Sequence, residues 1–71
     1  MELIKDGFER IIADDPKNVG KLMYEIHYKD KIICIIRSID AGLSLTWYEK
    51  DIAIPFDWFL EALNEAKIRV G

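Results

Sequence analysis

Tyr24-Glu25-Ile26-His27-Tyr28-Lys29-Asp30-Lys31-Ile32-Ile33-Cys34-Ile35-Ile36 is the stretch whose reading decides the fold. From Leu22 to Tyr28, the residues Tyr24, Ile26 and Tyr28 alternate with Met23, Glu25 and His27, the period-two pattern of a strand with one wetter face. Lys29-Asp30-Lys31 is a short polar break, and Asp30 tolerates the left-handed backbone that a tight hairpin needs. A second strand, Ile32 to Ile39, follows at once. Its apolar run shows no wet face, so it belongs inside a sheet, covered on one side by a helix and on the other by a further element or a second subunit.

Outward from this hairpin the pattern continues as a meander. Asp40-Ala41-Gly42 supplies a turn, after which Leu43, Leu45 and Trp47 alternate with Ser44, Thr46 and Tyr48. Glu49-Lys50-Asp51 interrupts the alternation before Ile52-Ala53-Ile54 resumes it, either as a bend in one strand or as a short fourth strand. Pro55 suits the first turn of a helix and Asp57 suits its positive end. The helix is predicted from Pro55 to Lys67, with Phe56, Phe59, Leu60 and Leu63 covering the sheet. Trp58 and Ala62 then form a second, narrower apolar strip off the main face, which either extends the core or meets another subunit as a candidate partner interface. Towards the N-terminus, Leu3, Ile4, Phe8, Ile11 and Ile12 fall at helical spacing with Lys5, Asp6, Glu9 and Arg10 on the other, wetter side, so a short amphipathic helix over 2–13 is the first reading, with Gly7 inside it at about 1 kcal/mol relative to Ala; Phe8-Glu9-Arg10-Ile11-Ile12 also reads as strand. Asp14-Asp15-Pro16-Lys17-Asn18 is read as a turn that ends this element. The expected architecture is α+β: a single domain, 1–71, with an antiparallel meander of three to four strands, a C-terminal helix and a short N-terminal one.

Composition bounds the rest. Seventy-one residues are near the lower limit for a core that folds alone, but a 51% hydrophobic content argues against disorder. Apolar surface in excess of what so small a core can hide favours a homodimer. The net charge of −3 argues against unspecific attraction to polyanions. With no membrane span and no signal-peptide pattern, a cytoplasmic location is expected. Cys34 lies in an apolar strand and reads as a small core hydrophobe. One His, one Cys and no clustered ligand spacing leave no metal or cofactor site to predict, and the chain is not expected to be an enzyme.

Recognition is the better class. Lys29, Lys31 and Arg37 accompany the aromatics Tyr28, Trp47 and Tyr48, and a sheet that shows both holds single-stranded nucleic acid by phosphate contact and base stacking. Over residues 20–63 the chain resembles the positive-cofactor-four family of transcriptional coactivators. The matching segments are Tyr28-Lys29-Asp30-Lys31 running into Ile32–Arg37, and Lys50-Asp51-Ile52-Ala53-Ile54 leading into the helix. The resemblance implies a curved antiparallel sheet with a C-terminal helix, a homodimer, and binding of single-stranded DNA in transcription regulation. It makes Tyr28 a stacking surface and Lys31 and Arg37 phosphate contacts, with Lys50 a weaker basic candidate; Lys29 joins the candidate set as a basic residue flanking the hairpin. Three features differ from the family pattern. Its two glycines are Asp30 and Asp51 here, the aromatic expected soon after Arg37 is missing, and the N-terminal segment reads as helix where the family has a strand. The order helix, three strands, helix is also that of double-stranded-RNA-binding domains, but Pro55-Phe56-Asp57-Trp58 lacks their Lys-rich helix opening. The competing expectation is a non-enzymatic protein-interaction or structural module.

Overall fold

The computed structural model describes residues 4–70, and its chain order is β1 (Ile4–Lys5), β2 (Phe8–Asp14), β3 (Leu22–Tyr28), β4 (Lys31–Ile39), β5 (Gly42–Trp47) and α1 (Phe56–Arg69). The strands form one antiparallel sheet in the order β1-β2-β3-β4-β5, four long strands with the two-residue β1 at one edge. The architecture is α+β, as expected, but the N-terminal helix is not formed. Glu2 and Leu3 lie outside the described residues, and the rest of the expected helix is strand.

Two features explain that correction. Asp6 and Gly7 have φ of 52° and 90°, the left-handed pair of a two-residue hairpin turn, so Gly7 marks a reversal rather than a weak point in a helix. Beyond it, Phe8, Arg10 and Ile12 share the face that carries the core, while Glu9, Ile11 and Ala13 share the other, fixed by pairing Arg10 with Ile26 and Ile12 with Tyr24. Arg10 hides this alternation in the sequence, because a cation occupies an inward position.

The central hairpin turns through Lys29 and Asp30, both left-handed at φ 47° and 70°. Its register, Tyr24 with Ile36 and Ile26 with Cys34, slips before His27 meets Ile32. Ile33 is the extra residue of a bulge in β4, and the kink brings neighbours Ile33 and Cys34 into the same core. Ile52–Ile54 is not a fourth strand; Tyr48 to Pro55 is an irregular connection whose Ile52 and Ile54 pack onto the core.

α1 begins after Pro55, with Asp57 in its first turn and Lys67 and Arg69 in its last, charges that complement the helix dipole. Its buried residues are Trp58, Ala62 and Ala66, flanked by Phe59 and Leu63. The strip expected to lie off the main face is therefore the main face, and Trp58 and Ala62 are core residues, not an exposed interface. The helix is turned by roughly 80° from the expected orientation. Small side chains at 62 and 66 let its axis come close to the sheet, while Phe56, 73% exposed, and Leu60 point away. Fully burying Tyr24, Ile26, Ile33 or Ile36 contributes about 1.5–3 kcal/mol apiece.

The sheet's second face is closed mostly by its own side chains. Ile35, only 7% exposed, pairs with Glu25 and Thr46 and belongs to that face. Glu25 accepts a 2.6 Å hydrogen bond involving His27 Nε2, and Arg37 Nη2 reaches Met23 Sδ at 3.5 Å. No helix among the described residues is long and apolar enough to cross a membrane.

Candidate nucleic-acid interface

The β1–β2 turn, the β3–β4 turn and the connection after β5 meet at one end of the sheet. Lys29 N–H donates to Gly7 O at 3.2 Å, tying the first two turns together, and Tyr48 N–H donates to Ile33 O at 2.7 Å, holding the third segment beside the start of β4. Four of the expected site residues, Tyr28, Lys29, Lys31 and Lys50, gather at this end. The three lysines are exposed.

Tyr28 is only half available. Its ring lies 4.5 Å from that of Phe8, and Lys29 Nζ sits 5.2 Å from the ring centroid. A methyl group at Gly7 would come within 3.1 Å of its Cε1. The freer aromatic at this end is Tyr48, 53% exposed, with Trp47, 52% exposed, preceding it and touching Phe59 at 5.8 Å. Alternating aromatics in 43–48 were the signal for both. What sequence could not supply was which ring stays outside.

Arg37 is at the opposite end, committed elsewhere. Its Nε is 3.3 Å from Asp15 Oδ2, with both side chains largely withdrawn from water. Asp15 also accepts from Lys17 N–H at 2.9 Å and from Asn18 Nδ2 at 2.8 Å. The Asn18 bond, the Lys17 amide and the Arg37 charge together hold its carboxyl below the usual carboxylate range, against the opposing effect of burial. Asp-Pro-Lys-Asn was readable as a turn, but its link to a residue 22 positions on was not. Arg37 is thus a structural cation.

Arg10, which sequence placed on a wet helix face, has a side chain 1% exposed, 3.6 Å from Glu65 Oε1 and 5.2 Å over the Trp58 ring. Tyr24 donates its hydroxyl to the same Glu65 oxygen, and burial with that carboxylate raises the phenol well above its ordinary value.

Acidic groups shape the lysine-bearing end too. A cavity of about 410 Å³ is lined by Asp6, Phe8, Tyr28, Asp51, Ile52, Ala53 and Pro55, and its two carboxylates make it a poor seat for phosphate. Asp30 and Asp51 adopt left-handed backbone, φ 70° and 59°. Cys34 pairs with Ile26, the neighbour of His27, so imidazole and thiol project from opposite faces; burial pushes the thiol up to about 11. No group of three or more metal-ligating side chains occurs among the described residues. Compared with known proteins, the chain matches no family model, no curated protein and no solved structure.

Proposed function

We propose that the protein is a small homodimeric binder of single-stranded nucleic acid, serving transcription regulation, in which Lys29, Lys31 and Lys50 contact phosphates and Tyr48, with Tyr28 beside it, stacks on bases. The observation that carries this reading is the backbone at Asp30 and Asp51. These are the two positions where the coactivator pattern has glycine, and both take the left-handed conformation that glycine adopts at least cost. A second departure also falls away, because the N-terminal segment is strand. Four long antiparallel strands, with the two-residue β1 before them, and a C-terminal helix are consistent with the antiparallel sheet and C-terminal helix that the resemblance implies. Arg37 drops out of the proposed contact set, leaving the exposed lysines as its electrostatic part.

Fluorescence anisotropy of a labelled single-stranded oligonucleotide at low salt tests the reading. Three phosphate contacts give a slope of log K against log salt of about −2 per protomer. Replacing Lys29, Lys31 and Lys50 together by Glu should abolish binding with little change in thermal stability. Binding that is absent in the parent, or that survives this triple replacement, removes the proposal.

A further inference from the structure

We infer that two copies of the chain join through their β5 edges, antiparallel and centred on Leu45, so that the two sheets become one. This rests on the homodimer part of the proposed function and gives it a geometry. β5 is the long edge strand of the sheet. Edge strands of monomers are normally guarded by charge, proline or a bulge, yet Ala41 to Tyr48 contains no charged residue and no proline, and the β4–β5 register is regular throughout.

The strand is also complementary to itself. Leu43-Ser44-Leu45-Thr46-Trp47 reads apolar, hydroxyl, apolar, hydroxyl, apolar in both directions. A twofold axis through Leu45, perpendicular to the sheet, sets Leu45 opposite its own copy, Leu43 opposite Trp47 and Ser44 opposite Thr46. Directly paired residues of antiparallel strands project to the same face, so aliphatic meets indole on one side and hydroxyl meets hydroxyl on the other, both favourable cross-strand pairs. Absence of charge along the strand means that the twofold brings no like charges together.

The helix side supplies a seat for the indole. Ile36, Leu43, Leu45 and Leu63 line an apolar hollow of about 200 Å³ between β5 and α1, edged by Ser44 and Lys67. Leu43, which faces the second copy's Trp47 across the axis, is one of its walls. Trp47 and Leu45 are both at least a third exposed, so the apolar contact across the axis is carried by these two side chains and their copies, and the free edge of β5 supplies the strand pairing. A reversible dimer is the expected outcome.

Sedimentation equilibrium of the full chain without nucleic acid, from low-micromolar to near-millimolar concentration, tests it. The parent should dimerise. Leu45→Lys sets two ammonium groups face to face on the axis and should weaken association at least tenfold while leaving the circular-dichroism melt close to the parent's. Leu45→Cys should give a disulfide-linked dimer on mild oxidation, because the central residues of such a pair lie about 4.5–5.5 Å apart at Cα; the parent, whose Cys34 is buried, should give none. A parent that stays monomeric overturns both the pairing and this interface. A dimer that Leu45→Lys leaves intact and Leu45→Cys fails to cross-link overturns the interface alone, and neither result depends on whether an oligonucleotide binds.

Discussion

The two arginine sites and the lysine-bearing end of the sheet use positive charge in opposite ways. Arg10 and Arg37 are withdrawn from water and spent on Glu65 and Asp15, on opposite faces of the same sheet. Lys29 lies on the β3–β4 turn, Lys31 opens β4 and Lys50 lies on the connection after β5, and all three stay exposed. The difference follows from chemistry. A planar guanidinium stacks on Trp58 and offers several donors to a carboxylate in a dry site, whereas an ammonium is strongly hydrated and is favoured where it keeps its water. Counting basic residues therefore overstates the charge available to a partner, and only side chains outside the core count towards recognition.

The largest effect should come from breaking the arginine side of this contrast. Arg10→Ala removes the packing over Trp58 and leaves Glu65 and the Tyr24 hydroxyl without their cation, costing about 3 kcal/mol in chemical denaturation. A loss under 1 kcal/mol would place Arg10 with the lysines.

Asp15→Ala strands the Arg37 guanidinium and should lower the melting temperature, and the parent should show a matching acid limb. The folded-state pKa of Asp15 lies below its unfolded value, so its contribution is present above about pH 4 and lost as pH falls through the lower value. The variant should show less of this limb than the parent; an identical acid profile would mean that Asp15 is not the residue responsible.

Changes at the turns should be smaller. Gly7→Ala forces a methyl group into left-handed backbone and against Tyr28, and should cost about 1–2 kcal/mol, more than Ala for Gly costs at an ordinary exposed turn. The smallest stability change, within about 0.5 kcal/mol, belongs to Asp30→Gly with Asp51→Gly, since relief of the left-handed backbone is offset by a more flexible unfolded chain. Removing two carboxylates beside the lysines should tighten oligonucleotide binding several-fold. Anisotropy titration reads that gain, and weaker binding would count against the lysines as the contact surface.

Much of the fold could be read in advance wherever alternation was uninterrupted. β3, β4, the turn at Lys29-Asp30 and the C-terminal helix stand close to where the pattern put them. The N-terminal segment did not follow, for an identifiable reason. Asp6-Gly7 is a strong hairpin signal, but the spacing of Phe8, Ile11 and Ile12 matched a helix, and Arg10 occupied the inward position that would have declared a strand. At the candidate interface, the lysines were visible as turn residues, while the loss of Arg37 to Asp15 and the half-burial of Tyr28 were not.

The sequence by itself determined the antiparallel hairpins, since side-chain alternation and turn chemistry act over two to four residues and need nothing from the rest of the chain. Only the tertiary structure decided which helix face is inside and which cations remain outside. Both depend on contacts between residues far apart in the chain. Ala62 and Ala66 admit the helix to the sheet only when Trp58 has Phe8 and Arg10 to rest on, and Arg37 is neutralised only when the loop at Asp15 folds over to meet it.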